Sequence, residues 1–532
     1  MHALMMERPL LLSAVLEHAE RHHPEREVVS AELGGGEHRT SWGEVGHRAR
    51  RLATALTELG VRPGDRVATL ALNTHRHLEA TYAIAGLGAI CHTVNPRLDP
   101  EQLVYVLEHA GVGVLLLDPP FLPLIGALAD RLPGIKHRVV LAPAGAVAEE
   151  LGYEELLASG SDSFDWPEFD ERTASGLCYT SGTTGRPKGV LYSHRSSVLH
   201  ALAGGLPDSF GLGAADTVLP VVPMFHVNAW GLPFSTALVG AKLVLPADRL
   251  DGARLADLLD AEGVTFTAGV PTIWHNLLTH LEQTGRKLPS LRRVACGGSA
   301  VPPSMIEAFE VGHGVTMVQG WGMTETSPLG AVGALKPGME NLDRAERTRI
   351  QAAQGRALFG LEWKIADPAG EALPWDGVAA GELLVRGHWV ASGYLDHDAE
   401  VLRDGWFPTG DIASIDRDGY LRITDRVKDV IKSGGEWISS VELENVAMDH
   451  AHVAQAAVVG VPDSQWGERP VLFVQPPPGV EPDVAAVLAH LGEHLPRWWV
   501  PERVEIVEAL PLGPTGKILK RELRARLAEA TS

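Results

Sequence analysis

The stretch Tyr179-Thr-Ser-Gly-Thr-Thr-Gly-Arg-Pro-Lys-Gly-Val190 is the most informative segment of the sequence. It joins hydroxyl side chains, three glycines and one lysine in a single short loop. Backbone N–H groups and hydroxyls of such a loop can surround a polyphosphate, while the Lys188 ammonium adds a point charge. It differs from a Walker A loop, because Lys188 follows Pro187 and no Ser or Thr comes next. The segment therefore predicts a phosphate-binding loop of another kind.

Helix-length amphipathic patterns alternate with short apolar runs on both sides of this loop. The run Arg66–Leu72 follows a helical pattern at Glu44–Leu59 and precedes another at His77–Leu87. Such alternation predicts βαβ units and a parallel sheet. From about Gly381, shorter runs separated by Gly and Asp turns are typical of an antiparallel region. We therefore expect an α/β fold, with a large N-terminal domain of mixed or parallel sheets and helices, a small antiparallel barrel-like region and a small α+β C-terminal domain.

Composition limits the function classes. The chain has 532 residues, 45% of them apolar and 21% charged, which predicts a globular protein of at least two domains. Its formal charge of −21 argues against binding to nucleic acid or to an anionic membrane. Three cysteines without CxxC or Cys/His spacing predict neither a disulfide framework nor a zinc site, and they fit a reducing, cytoplasmic location. Prolines interrupt the uncharged stretch Thr217–Ala241, so we expect a buried strand, loop and helix there and no transmembrane segment.

Four further segments accompany the phosphate loop in a fixed order. They are Gln319-Gly-Trp-Gly-Met-Thr-Glu325, Trp406-Phe-Pro-Thr-Gly-Asp411, Asp425-Arg-Val-Lys-Asp-Val-Ile-Lys-Ser-Gly-Gly-Glu436 and Pro514-Thr-Gly-Lys517. With them, nearly the whole chain resembles the adenylate-forming superfamily. That superfamily includes acyl-CoA and aryl-CoA synthetases, firefly luciferase and the adenylation domains of peptide synthetases.

The resemblance implies nucleotide-binding roles for particular side chains. Trp321 offers a flat face for stacking adenine, and Glu325 is a hard oxygen ligand for Mg²⁺, which Thr180 joins by resemblance. Asp411 resembles the family's ribose-binding aspartate, and Arg426 is similarly placed to bind the ribose or phosphate. The full set of residues predicted to bind ATP or AMP is Thr180, Ser181, Gly182, Thr183, Thr184, Gly185, Lys188, Gly298, Ser299, Gln319, Gly320, Trp321, Gly322, Met323, Thr324, Asp411, Arg426, Lys432 and Trp437.

By the same resemblance, Lys517 is the catalytic lysine that bridges the carboxylate and the α-phosphate. The reaction brings two anions together, so a cation aimed at the developing charge lowers the barrier. Glu325 and His226 complete the predicted catalytic residues. ATP, Mg²⁺ and CoA are the cofactors and co-substrates that the resemblance implies.

A mobile C-terminal domain is also implied. Enzymes of this superfamily rotate that domain between an adenylating and a thioester-forming pose, and Lys428 occupies the position resembling their hinge. Rotation would present Lys517 to the first half-reaction and the Gly434-Gly435 segment to the second. The predicted domains are residues 1–424 for AMP and acyl binding, 425–430 as the hinge linker and 431–532 as the mobile catalytic domain.

The acid is less well defined than the chemistry. Peptide-synthetase domains usually carry an aspartate after the phenylalanine of a Pro-Met-Phe-like segment, whereas this chain has Pro223-Met-Phe-His-Val-Asn-Ala-Trp230, so amino-acid activation is disfavoured. This segment and Lys432-Ser-Gly-Gly-Glu-Trp-Ile-Ser-Ser440 most resemble bacterial fatty-acyl-CoA synthetases of medium to long chain. In that group the tryptophan matching Trp230 gates an acyl tunnel. The same two segments occur in ligases for short acids such as 3-methylthiopropanoate.

We therefore predict an ATP- and Mg²⁺-dependent carboxylic acid–CoA ligase that forms an acyl-adenylate and then a thioester, acting on medium- or long-chain fatty acids. One alternative is a short-chain ligase for 3-methylthiopropanoate or propanoate. A CoA-independent or luciferase-like reaction is a weaker alternative, and a non-catalytic nucleotide-binding paralogue is an alternative of another class. The expected partners are the acid, ATP and CoA, without nucleic acid, and a homodimer is an expectation from the resemblance.

Overall fold

The computed structural model describes residues 4–147, 150–180, 186–397, 400–434, 436–513 and 518–531. The chain packs as two compact units. Residues 1–362 and 386–401 form the first unit, and residues 363–385 and 402–532 form the second. Within the described residues, no helix is both long and apolar enough to cross a membrane.

Two sheets organise the first unit. Its strands are β1 (Glu27–Ala31), β2 (Glu37–Ser41), β3 (Arg66–Leu70), β4 (Ile90–Thr93), β5 (Val114–Leu117), β6 (His137–Val140), β7 (Leu151–Gly152), β8 (Ala174–Tyr179), β9 (Gly189–Ser193), β10 (Thr217–Pro220), β11 (Lys242–Leu245), β12 (Phe266–Gly269), β13 (Arg293–Cys296), β14 (Thr316–Gly322), β15 (Leu329–Val332) and β16 (Arg356–Ala357). One sheet has the order β16-β15-β14-β13-β12-β10-β11-β1-β2, and the other has the order β7-β6-β5-β3-β4-β8-β9.

Helices connect the parallel strands and cover the sheets. They are α1 (Leu12–His22), α2 (Trp42–Glu58), α3 (His75–Gly86), α4 (Pro100–His109), α5 (Leu122–Ala127), α6 (Tyr153–Ser159), α7 (His194–Gly205), α8 (Val227–Trp230), α9 (Leu232–Val239), α10 (Gly252–Ala261), α11 (Pro271–Thr284), α12 (Pro303–Glu307) and α13 (Arg344–Gln351). The start of α4 has a local explanation. The Asp99 carboxylate accepts a hydrogen bond from the Gln102 N–H, and Pro100 lies in the first turn of the helix.

Inner strands such as β5 and β12 are buried along their whole length, because helices cover a parallel sheet on both faces. An extensive hydrophobic core lies against the nine-stranded sheet. There, Trp274 of α11 packs edge-on against Phe309 among buried leucines and valines of α10, β10 and β13. This packing holds the carboxyl ends of the parallel strands in place.

The chain from residue 361 onward forms two smaller sheets. Its strands are β17 (Leu361–Ala366), β18 (Ala380–Gly387), β19 (Phe407–Ile415), β20 (Leu421–Arg426), β21 (Ile431–Ser433), β22 (Glu436–Ile438), β23 (Gln455–Asp463), β24 (Gly467–Gln475) and β25 (Arg503–Ile506), and its helices are α14 (Ser440–Met448), α15 (Val484–His494) and α16 (Lys520–Thr531). One sheet has the order β17-β18-β19-β20, with β18, β19 and β20 paired antiparallel. The other has the order β22-β21-β24-β23, and β25 pairs parallel with β24.

The predicted fold class is confirmed. The strand expected at Arg66–Leu72 is β3, the helix expected at His77–Leu87 is α3, and the stretch Thr217–Ala241 is a buried strand, turn and helix. When the chain is divided into compact units, however, most of the antiparallel sheet falls in the second unit, together with the C-terminal strands and helices. The predicted hinge at residues 425–430 consequently lies inside the second unit, where it covers the last two residues of β20 and the segment that leads to β21. The division at residue 424 stays a prediction.

Candidate active site

Several predicted site residues lie in loops at one edge of the nine-stranded sheet. Strands β14, β13, β12 and β10 are neighbours and run parallel, so their carboxyl ends meet at that edge. The loops that follow begin at Val221 after β10, at Gly297 after β13 and at Met323 after β14. Ligands of open α/β sheets bind outside the carboxyl ends of the strands. The topology therefore places His226, Gly298, Ser299 and Thr324 along the edge where binding is expected.

The described ends of the phosphate loop are held together as a hairpin. The Thr180 N–H donates to the Lys188 carbonyl at 2.9 Å, and the Lys188 N–H donates to Thr180 Oγ1 at 3.1 Å. These bonds continue the antiparallel pairing of β8 with β9. The loop between them, with Ser181, Gly182, Thr183, Thr184 and Gly185, lies outside the described residues.

Glu325 is joined to this hairpin through Tyr394. Glu325 sits in a 3₁₀ turn, Thr324–Thr326, with only 6% of its surface exposed, and its Oε1 accepts from the Tyr394 hydroxyl at 2.7 Å. Lys188 Nζ lies 4.7 Å from the centroid of the Tyr394 ring, within cation–π range. Burial first, and then the Glu325 carboxylate, raise the pKa of Tyr394 above its usual range, which keeps its hydroxyl a donor. Thr180, Lys188, Tyr394 and Glu325 thus form one continuous cluster.

Tyr394 was not identified from the sequence. It follows Ala391-Ser-Gly and carries no spacing signal of its own. Its position depends on two backbone bonds made by its neighbours, from the Ala391 N–H to the Glu325 carbonyl and from the Leu395 N–H to the Gly189 carbonyl, both 2.8 Å. Oxygen donors of the kind found at Glu325 and Thr180 are those that Mg²⁺ prefers. The donor chemistry of this cluster therefore fits the ion that the sequence implied.

Trp321 lies beside this cluster on β14. Trp321 is 9% exposed, and its indole packs against Gly330 of the neighbouring strand β15. A Cβ on Gly330 would lie 2.6 Å from Cζ3 of the indole, so only glycine permits this approach. On the same strand, Gln319 is 2% exposed. The predicted segment Gln319–Glu325, including Gly320, Gly322 and Met323, therefore runs along β14 into the turn that carries Glu325.

Trp230 lies over the loop that follows β13. A Cβ on Gly297 would come 3.0 Å from Cη2 of the indole, which is 8% exposed. The backbone of α8 that carries this ring winds left-handed, with φ of 50° at Val227, Asn228 and Ala229 and 58° at Trp230. Left-handed backbone costs roughly 1–2 kcal/mol per non-glycine residue. Backbone strain of this kind is concentrated at functional sites. In this protein it accompanies the placement of the Trp230 indole beside Gly297.

Asp411 and Arg426, the predicted ribose-binding pair, lie opposite each other in the second unit. They are register partners on β19 and β20, and Arg426 Nε contacts Asp411 Oδ1 at 2.8 Å. Asp411 is 2% exposed, and Arg426 also donates to the Thr409 carbonyl at 3.1 Å. The carboxylate is therefore held in one orientation by a guanidinium.

The remaining predicted residues of this unit lie on the hairpin of β21 and β22 and in the segment before it. Lys432 and Trp437 are direct register partners, and both are exposed. Gly434, with φ of 62°, occupies the turn between the strands, where its N–H donates to the Trp466 carbonyl. Lys428 is exposed, and its carbonyl accepts from Arg524 of α16 at 3.4 Å. Gly435 and Lys517 lie outside the described residues.

Residues 16–395 match the family model of the AMP-binding enzyme, and residues 442–517 match that of the AMP-binding enzyme C-terminal domain. The chain belongs to the AMP-binding enzyme family. It is 52% identical to the 3-methylmercaptopropionyl-CoA ligase of Ruegeria lacuscaerulensis, across 99% of both chains. It is 48% identical to the medium-chain-fatty-acid–CoA ligase of Ectopseudomonas oleovorans, across 99% of this chain and 97% of that protein.

Among solved structures, the crystal structure of the anthranilate CoA ligase AuaEII in complex with anthranoyl-AMP superposes with a TM-score of 0.86. It covers 97% of this chain and 98% of its own, at 27% identity. Together with the family match, these likenesses define an ATP-dependent acid–thiol ligase that forms acyl-CoA by way of an adenylate.

Proposed function

We propose that this ligase activates carboxylic acids with an uncharged, apolar tail, and that medium- and long-chain fatty acids are its first candidates. The observation that carries the proposal is the indole of Trp230 lying over Gly297. The segment from Val221 to Ala241, which holds the indole, contains no Asp, Glu, Lys or Arg. A charged tail has no counter-ion in that segment, whereas each buried methylene contributes about 0.8 kcal/mol.

The second candidate acid is 3-methylmercaptopropionate. A specific observation favours it, because the Ruegeria lacuscaerulensis relative at 52% identity is named for that activity. The indole of Trp230 also bears on this choice. If it stays over Gly297 during catalysis, it limits the length of tail that the site accepts.

The experiment is carboxylate-dependent pyrophosphate release, with and without CoA, for straight-chain acids from propanoate to palmitate and for 3-methylmercaptopropionate. CoA-dependent turnover that peaks at medium or long chains supports the first candidate. A peak at 3-methylmercaptopropionate selects the second. A preference for dicarboxylic or amino acids of equal length contradicts an uncharged tail.

Trp230→Ala is expected to shift the preference toward longer acids. Removing the indole opens space over Gly297 in which further methylenes can be buried, at about 0.8 kcal/mol each, so two additional methylenes correspond to about tenfold in kcat/KM. The measurement is the ratio of kcat/KM for palmitate to that for propanoate. Trp230→Phe, which keeps a planar ring, is the control and should leave the ratio closer to that of the parent. An unchanged ratio in Trp230→Ala would show that the indole does not limit tail length.

We also propose that Glu325 and Thr180 hold Mg²⁺ on ATP and that Tyr394 orients the Glu325 carboxylate. Tyr394→Phe removes only the hydroxyl that donates to Glu325 Oε1. Loss of such an outer partner typically costs about 10–100-fold in metal affinity or activity. We therefore expect the Mg²⁺ concentration for half-maximal activity to rise at least about tenfold, measured by titration at fixed ATP.

Tyr192→Phe is the matched control for this prediction. The Tyr192 hydroxyl donates its hydrogen bond at 2.8 Å to the backbone carbonyl of Thr324 rather than to the Glu325 carboxylate. Its loss should affect stability more than Mg²⁺ dependence. An equal rise in the Mg²⁺ requirement of both variants would show that Tyr394 has no specific role in orienting Glu325 for Mg²⁺.

We also propose a domain division, a hinge and an assembly state. Residues 1–424 and 431–532 would move about residues 425–430, with Lys428 as the hinge and Gly434 and Gly435 serving the CoA step. A Lys428→Pro variant that forms adenylate but fails in thioester formation would support this motion. A homodimer in the cytoplasm is the expected state, which light scattering and fractionation can test.

A further inference from the structure

Glu32, His38 and His75 form a cluster outside the predicted nucleotide and acid sites. Glu32 directly follows β1, His38 lies on β2, and His75 is the first residue of α3. One ligand atom from each residue lies within 4.8 Å of the others. These three elements belong to the first unit, where the β1–β2 hairpin brings Glu32 and His38 close to His75, which lies 37 residues beyond His38 in the sequence.

The most informative member of the cluster is His75. Its side chain has no exposed surface, yet neither ring nitrogen has a hydrogen-bond partner among the residues that the structure describes. Buried polar atoms are nearly always paired, so an unpaired imidazole needs an explanation. Its Nδ1 points toward Glu32, with Oε1 4.0 Å away, and its ring stacks on His38 at a centroid distance of 3.9 Å.

The protonation state suits a metal ligand. Burial first, and then the charges of Arg76, His38 and Arg48, hold the pKa of His75 far below its usual range. Burial likewise lowers the pKa of His38. Both imidazoles are therefore neutral near pH 7 and have lone pairs available, as coordination requires.

The ionisable groups around the cluster include more carboxylates than guanidiniums. Arg76 contacts Glu32 at 3.2 Å and Glu154 at 2.9 Å, while Arg48 contacts Glu79 at 2.8 Å and Glu154 at 3.0 Å. Two guanidiniums thus face three carboxylates. Arg76 would retain Glu154 if Glu32 turned toward an ion.

We propose that Glu32, His38 and His75 bind one divalent transition-metal ion, with Zn²⁺ as the best fit. Two imidazoles and one carboxylate are an established donor set for Zn²⁺, and water takes the fourth position of its tetrahedron. Because the two rings stack nearly parallel, 15° apart, one of them turns so that both lone pairs meet at the ion. The three ligand atoms, which now lie within 4.8 Å of one another, also move closer together to bind the ion.

The ion has a structural role in this arrangement. It ties the β1–β2 hairpin to the first residue of α3. The loop before α3 contains Asn73, whose amide donates to the Pro220 and Val222 carbonyls and whose Oδ1 accepts from the Met224 N–H at 2.6 Å. Metal binding would thereby brace the loop that leads to Trp230.

The test is calorimetric titration of the full chain, freed of metal by a chelator, with Zn²⁺. We expect one tight equivalent, a higher melting temperature in Zn²⁺, and four-coordinate visible absorption when Co²⁺ replaces Zn²⁺. His75→Phe keeps a buried aromatic ring and should lower the Zn²⁺ affinity by about tenfold or more. His38→Gln, at a half-buried position, should do the same and serves if His75→Phe does not fold.

A second pair of histidines supplies the necessary control. His490 and His494 lie one turn apart on α15 with ring centroids 4.4 Å apart, and such a pair can bind Zn²⁺ by itself. His490→Gln should leave the tight equivalent intact. If His490→Gln removes it while His75→Phe retains it, or if neither Zn²⁺ nor Co²⁺ binds the parent, the proposed site is wrong.

Discussion

Replacing Lys517 with alanine is expected to slow adenylate formation by about 10²–10³-fold, the loss that follows removal of one preorganised electrostatic group from an active site. The lysine belongs to the Pro514-Thr-Gly-Lys517 segment by which the chain resembles its family. Its ammonium would offset the charge that builds up as the carboxylate attacks the α-phosphate. The measurement is single-turnover, acid-dependent pyrophosphate release.

A second half-reaction makes the prediction for Lys517 specific. When acyl-adenylate is supplied directly, Lys517→Ala should convert it to acyl-CoA at close to the parent rate, because that step does not need the same cation. Lys517→Arg tests the compact shape of the ammonium, since a planar guanidinium is not its equivalent. Adenylation by Lys517→Ala at the parent rate would remove the catalytic role.

Replacing Lys520 with methionine is expected to lower the free energy of unfolding of the second unit by about 3–5 kcal/mol, the usual result of removing one partner from a buried ion pair. Lys520 Nζ donates to Glu444 Oε1 at 2.7 Å and to Ser440 Oγ at 2.6 Å. Burial opposes its charge, but the Glu444 and Asp425 carboxylates hold the pKa of Lys520 above its usual range. Methionine would leave Glu444 buried without its counter-ion.

Urea denaturation measures this loss, and hydrogen exchange in α14 and α16 localises it. Arg521→Met is the matched control, because Arg521 is exposed on the same turn and should change stability by no more than about 0.5 kcal/mol. The pair Lys520→Met with Glu444→Leu should recover much of the loss, since a buried ion pair is often replaceable by apolar side chains. A single variant as stable as the parent would contradict the prediction.

Lys517 and Lys520 show what a family motif can and cannot predict about neighbouring lysines. Both stand beside the same Pro/Gly segment, and the sequence alone distinguishes them only through the family pattern. The structure shows the environment of Lys520, whose ammonium contacts Ser440 and Glu444 of α14. This pairing joins residues about 80 positions apart, beyond any local pattern.

The candidate site divides in the same way. The segment Gln319–Glu325 was predicted from its own residues, and the structure places it on β14 and the turn after it. The register of β19 and β20 accounts for the pairing of Asp411 with Arg426. Tyr394 was missed, because its contact with Glu325 depends on how a later loop folds back along β9 and that turn.

The sequence by itself determined the α/β class, which follows from hydrophobic periodicity, and the family, which follows from short segments that resemble the family's motifs. The nucleotide-binding candidates are predictions from the same resemblance. Only the tertiary structure shows the left-handed backbone that carries Trp230 and the hydrogen bond from the Tyr394 hydroxyl to Glu325. The same is true of the proximity of Glu32, His38 and His75. Each of these depends on contacts between distant segments, and the packing that makes such contacts leaves no periodic trace in the chain.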